Sequence, residues 1–147
     1  MRNSILLMAY ILVLSSVQQV ALAQSNEYEG TPVSTTVFVT FDSGGVAFRP
    51  SADGAATLAG AKGAALVAIR GRTSTDIPTA KDEALALARA TAARSYLISR
   101  GVSPLKTTLN YASGADFVTD NETAAGRHQN QRVEIDLVYV PTFQDKE

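Results

Sequence analysis

Arg89, Asp82, Asp76, Ser74 and His128 are the side chains whose types and spacing could do chemistry. Arg89 stands seven residues after Asp82, so on one helix the two point roughly the same way, about 10 Å apart along the axis. Taken alone, such an arginine reads as a solvated side chain on a helix shoulder, because arginines are mostly exposed. Ser74, His128 and Asp76 or Asp82 supply the residue types of a hydrolytic triad. No nucleophile-elbow sequence surrounds Ser74, and nothing in the sequence brings His128 to it. A triad is recognised by geometry and any chain contains its residue types, so an enzyme is the outlying reading. His128 is the single histidine and there is no cysteine, whereas a structural zinc site needs four ligands. No metal or cofactor is expected, and His128 reads as a surface residue on the turn before the last strand.

The elements that must position these residues centre on the stretch from Ala65 to Val102. An apolar run, Ala65 to Ile69, bounded by Gly63 and Gly71, has the length and punctuation of a buried strand. Arg72 to Pro78 reads as a polar loop. Thr79 is the expected N-cap of a long helix, with Asp82 in capping-box position and Glu83 near the positive end of the dipole. The helix should stop at Gly101, and Leu85, Ala88, Ala92 and Tyr96 form its expected stripe against a sheet. Before it come a half-buried strand, Thr35 to Phe41, a turn at Asp42 to Gly45, and a short helix capped by Ser51 or Asp53. Gly54 and Gly60 each weaken that helix by about 1 kcal/mol if interior. After the long helix, Leu105 to Tyr111 reads as a strand, Glu122 to Gln129 as a helical turn or more, and Arg132 to Val140 as the closing strand. In that last strand Val133, Ile135, Leu137 and Tyr139 share one face. The order is β-α-β-α-β-(short α)-β. It predicts an α+β fold with helices packed on one face of a mixed four-stranded sheet.

Residues 1–23 read as an export signal, with Arg2, an apolar core from Ile5 to Leu14, and Ala21-Leu22-Ala23 as the cleavage site. An uncleaved anchor is the competing reading, but the continuous apolar run is about half of the ~20 residues a spanning helix needs. Residues 24–34 read as a tether, 35–140 as one domain and 141–147 as a tail. Removing Arg2 with the signal leaves 13 − 1 = 12 basic against 14 acidic residues, a net charge of −2. That balance argues against a nucleic-acid partner, which would call for a basic patch and a high pI. No transmembrane segment is expected after cleavage, and an eight-stranded barrel does not fit beside an α/β domain in the remaining chain. With no cysteine, neither a lipid-modified N-terminus nor a disulfide is possible, so the core alone must hold the domain.

Gly71, Thr73, Leu85, Arg89, Ala90, Tyr96, Leu97, Gly101 and Val102, in this order and spacing, resemble the OmpA C-terminal-like family of peptidoglycan-associating domains. The resemblance continues in Val37 to Asp42, Phe48-Arg49-Pro50, Leu109 to Tyr111, and Gly126-Arg127, Asn130 and Arg132 to Ile135. It covers about Thr35 to Val140. What it implies is a non-catalytic periplasmic module whose ligand is the diaminopimelate end of the peptidoglycan stem peptide. That group carries an ammonium and a carboxylate on one carbon, so its recognition needs an anion and a cation on converging elements. Arg89 falls on the family's arginine, whose planar fork suits a carboxylate.

The family's aspartate is absent. Its G-H-T-D motif reads Gly71-Arg72-Thr73-Ser74 here, its helical asparagine is Asp82, and its N-R-R motif is Asn130-Gln131-Arg132. Losing a charged hydrogen bond to an ammonium costs about 1.5–3 kcal/mol. Asp82 or Asp76 is a candidate substitute anion; equally, Asp82 completes the helix cap and Asp76 is a solvated loop residue. By resemblance the ligand-binding set is therefore Thr73, Ser74, Asp76, Asp82, Arg89, Asn130, Gln131 and Arg132. Two principal readings follow: a wall-binding module, or the same fold with a decayed site serving as an accessory subunit of an envelope machine. The run Val46 to Ser51 is similar to accessory proteins of type IV secretion and conjugation systems, so the expected partners are peptidoglycan or envelope-complex proteins.

Overall fold

The structure is a computed structural model that describes residues 31–141. The expected signal and most of the expected tether and tail lie outside the described residues. The element order is β1 (Val33–Thr40), α1 (Ala52–Ala59), β2 (Leu66–Arg72), α2 (Ala80–Ser99), β3 (Thr107–Ala112), α3 (Ala124–Asn130) and β4 (Arg132–Tyr139). The four strands form one sheet in the order β1-β4-β2-β3. β4 runs antiparallel to both β1 and β2, while β2 and β3 are parallel. This is the expected α+β fold with a mixed sheet.

Alternation builds the core. Val37 and Val39 of β1, Val67 and Ile69 of β2, and Val133, Ile135 and Leu137 of β4 point to one face and are buried. Leu58, Ala90, Ala93 and Leu97 from the helices pack with them in the core cluster. Phe38, which interrupts the polar side of β1, is 56% exposed on the opposite face.

The central helix begins and ends as its sequence dictates. Thr79 accepts from the Asp82 amide, while the Asp82 carboxylate accepts from the Thr79 amide at 3.0 Å, which closes the capping box. At the other end Gly101 takes φ +88°. Its amide and that of Val102 bond back to Ile98 and Leu97, a Schellman closure in which buried Val102 follows buried Leu97.

Two expectations are corrected. The buried stripe of α2 is Ala86, Arg89, Ala90, Ala93 and Leu97, with Leu85, Ala88, Ala92 and Tyr96 only half-buried beside it. So many alanines leave little size contrast from which to read the face. β2 also does not end before Gly71: it runs on through Arg72, which pairs with Ala112. Gly71 marks a close approach of two backbones, since a Cβ there would lie 2.1 Å from the Ala86 carbonyl oxygen. Smaller differences concern ends: β1 starts at Val33, β3 at Thr107 and α3 at Ala124, capped by Thr123.

Candidate functional site

Arg89 is completely buried. α2 carries it under the ends of β1, β2 and β4. Its Nε donates to the Gly45 carbonyl at 2.9 Å, Nη1 to the Arg72 carbonyl at 3.1 Å, and Nη2 to the Asp42 carbonyl at 3.1 Å and the Gln131 Oε1 at 3.2 Å. The guanidinium also lies over the Phe41 ring, 5.0 Å from its centroid. The solvated-shoulder reading of this arginine is therefore overturned. None of these partners is a carboxylate, and burial pushes the Arg89 pKa down to about 10. A cation removed from water without a counter-ion stays charged at neutral pH, at a cost.

The other expected residues surround this hub in distinct roles. Thr73 is buried and shares a hydroxyl hydrogen bond with Ser113. Ser74 offers its carbonyl to Asn121 Nδ2 at 2.7 Å, and the same amide reaches Asp76 Oδ1 at 2.6 Å. Asp82 accepts from Thr79 and, at 3.0 Å, from the Thr75 hydroxyl. These hydrogen bonds, that of the Thr79 hydroxyl first, lower its pKa. Neither Asp76 nor Asp82 is among the partners of Arg89.

Asn130, fully buried, fastens the loop before α3: Oδ1 accepts from the Val118 and Thr119 amides, and Nδ2 donates to the Thr119 carbonyl and Asn121 Oδ1. Arg132 is buried too, paired with Glu134 and donating to the Asp116 carbonyl at 2.6 Å. No hydrogen bond joins Ser74 to His128 among the described residues.

Two features went unread in the sequence. Arg72, expected in a loop, is buried and forms an ion pair with Asp116 at 2.8 Å while donating to Asn110 at 2.9 Å. In addition, a cleft of about 350 Å³ opens at the end of β1, lined by Phe41, Asp42, Gly45, Arg49 and His128 among others. Asp42 and Gly45 are the same residues whose carbonyls Arg89 holds, so the buried cation sits directly behind the cleft. The sequence signal was the Asp42-Ser43-Gly44-Gly45 turn, with Gly44 at φ +69°, but a turn alone does not say that α3 brings His128 to it.

The match to known proteins follows this architecture. A curated relative in Brucella suis, named as an outer membrane lipoprotein of a type IV secretion system, is 34% identical over 70 residues. That match covers 48% of this chain and 41% of the relative, so the chain spans less than half of the relative's length. Among solved structures, the peptidoglycan-associated lipoprotein from Burkholderia pseudomallei has a similar fold, with a TM-score of 0.60 at 21% identity over 69% of this chain and 89% of that one. The cell wall anchor of the type VI secretion system from Pseudomonas aeruginosa gives 0.57 at 22% identity over 75% and 87%. The model of the OmpA family matches residues 40–131, well over half of the chain, and the chain belongs to the OmpA family.

Proposed function

We propose that this protein is a non-catalytic module of the cell envelope that associates with peptidoglycan by holding the diaminopimelate end of a stem peptide. The observation that carries this reading is Arg89: a fully buried guanidinium with no protein carboxylate, directly behind an open cleft. A carboxylate entering that cleft would supply the missing negative charge. Arg89 then acts as a fixed positive charge rather than as a reaching arm. Thr73, Asn130, Gln131 and Arg132 hold the surrounding strand ends and loops in place. Asp76, which accepts from Asn121, and Asp82, which accepts from Thr79 and Thr75, are the candidates for the substitute anion.

The second reading is the same fold as an accessory subunit of an envelope machine such as a type IV secretion system. It draws support from the Brucella relative and from the four internal hydrogen bonds of Arg89. Export to the periplasm belongs to both readings. Co-sedimentation of the protein, expressed with export and recovered in its processed form, with diaminopimelate-type sacculi separates them. Sedimentation of folded protein with the sacculi is expected; a folded protein that stays in the supernatant sinks the wall-binding reading and leaves the accessory one.

A further inference from the structure

We infer that the pole of the molecule opposite the cleft is a docking surface for an anionic phospholipid membrane. β1, β2 and β3 run in one direction, so Val33, Leu66 and Thr107 begin their strands at one end, and α2 finishes there at Ser99. Lys62, Arg94, Arg100 and Lys106 meet at this end. The Lys62 chain lies along Gly101, where a Cβ would stand 2.7 Å from its Cε. Lys106 Nζ donates to the Lys62 carbonyl at 3.4 Å, and Arg94 Nε to the Thr107 hydroxyl at 2.8 Å. The Arg100 guanidinium, next to Gly101, stacks on the Tyr96 ring with Cζ 3.5 Å from the centroid. Among the described residues none of the four has an ion pair, because the carboxylates are elsewhere. Asp42, Asp76, Asp82, Glu83, Asp116, Asp120 and Glu122 lie after β1, β2 and β3 or in the first turn of α2, at the cleft end. Asp53 stands in the first turn of α1, and Glu134 and Asp136 are held by Arg70.

Local reasons put a cation at three of these sites: Arg100 closes α2, Lys62 and Lys106 end short 3-10 turns, and helix C-termini favour positive charge. They do not explain why all three ends share one pole with no counter-ion. Beside the cations stand aliphatic side chains. Leu105 is 95% exposed between Pro104 and Lys106, and Val33 and Leu66, at the first positions of β1 and β2, are 61% and 40% exposed. Lysine and arginine heads around apolar side chains are the composition of an interfacial surface, in which the heads meet lipid phosphates while the aliphatic groups enter the headgroup boundary. A soluble anion would answer the charge alone and leave Leu105 in water. A membrane also fits the chain outside the described domain, since residues 1–30, with the apolar run Ile5 to Leu14, join β1 at this pole. The strands span about 25 Å, so a domain seated by this pole presents its cleft away from the lipid.

The test is sedimentation of the exported, processed protein with vesicles of phosphatidylcholine alone and of equal parts phosphatidylcholine and phosphatidylglycerol. Binding to the anionic vesicles is expected, weakening as salt rises, with little on the neutral ones. Each cation near the lipid contributes roughly fivefold, so Lys62→Gln/Arg100→Gln/Lys106→Gln should bind roughly a hundredfold more weakly. Leu105→Ser should also bind several-fold more weakly. Lys81→Gln removes one charge at the first turn of α2 and should bind as wild type, whereas Lys62→Gln, with the same net charge, should lose roughly fivefold. The replaced side chains lie outside the core cluster, so the variants should keep the wild-type melting temperature. No binding by a folded wild type, equal binding to neutral vesicles, or a triple variant that binds like wild type would each overturn the inference. So would binding seen only in a Glu27→Gln/Glu29→Gln/Asp145→Asn/Glu147→Gln variant, which would make the chain's own flanking acids the occupant. The vesicles contain no peptidoglycan, so the outcome is independent of the sacculi assay and of what the cleft holds.

Discussion

Arg89 ties together the backbone that follows β1, the end of β2 and the residue before β4. Replacing it with alanine would leave the Gly45 and Arg72 carbonyls and the Gln131 side chain without this donor, while the Asp42 carbonyl keeps the Gly45 amide. Each orphaned buried acceptor costs about 1–3 kcal/mol. Arg89→Ala should therefore lose at least about 3 kcal/mol of stability, measured as the urea midpoint, and a loss below about 1 kcal/mol would contradict the hub role. The consequence for function is practical: failure of that variant to bind says little about the ligand, whereas Asp42 and Arg49 are removable without touching the hub. Gln131 belongs to the same logic. The family's arginine there would set a second cation beside Arg89, while glutamine accepts from it at 3.2 Å. Ser74 and Gln131 together remove one anion and one cation, which leaves the balance around Arg89 unchanged.

At the scale of elements, α2 lies on β2 as closely as backbone allows, at Gly71. A methyl group there would meet the Ala86 carbonyl at 2.1 Å and the Ala90 side chain at 3.1 Å. Gly71→Ala must lift the helix, and with it Arg89, from the strands. A cost of about 1–3 kcal/mol or more is expected, visible as a lowered melting temperature. At its first turn α2 is held by the capping box. Hydrogen bonds from Thr79 lower the folded-state pKa of Asp82 below its ordinary value of 3.8. A depressed acid contributes stability above its unfolded pKa and loses it as pH falls through the folded one. Stability should therefore drop below about pH 3.8 less steeply in Asp82→Asn than in wild type; parallel acid limbs would contradict this. These caps were legible because capping is local, decided by residues three or four apart. The face of α2 was not legible, because alanine is compatible with either side of a helix and only the approach to Gly71 selects one.

Across the whole molecule, the helices cover one face of the sheet and the other carries a lattice of charge. Arg70 pairs with Glu134 at 2.8 Å and Asp136 at 2.6 Å, Asp136 accepts from Thr36 at 2.7 Å, and Glu134 also pairs with Arg132. These pairs run across β1, β4 and β2 in register. The hydrogen bond to Asp136, first among the causes, raises the Arg70 pKa. Arg70→Met would leave two carboxylates facing each other on β4. A loss of about 1 kcal/mol is expected, smaller at high salt because the site is partly exposed; no salt dependence of the difference would argue against it. The lattice keeps an open sheet face polar, and Phe38, 56% exposed within it, should tolerate Phe38→Ser with a change in the urea midpoint worth less than about 0.5 kcal/mol.

Period-two alternation, a capping box and a C-terminal glycine are sequence-local, and they alone determined the strands, the long helix and the α+β order of this chain. The motif order around Arg89 likewise carried the family. What only the tertiary structure decided is how charge is distributed: that Arg72 and Thr73 are buried, that Asp76 and Asp82 are engaged, and that Asp42, Arg49 and His128 share one cleft. The reason is distance along the chain. His128 lies 86 residues from Asp42, and such a pair is brought together by the antiparallel placement of β4 beside β1, a register set by burying Val37 and Ile135 opposite one another.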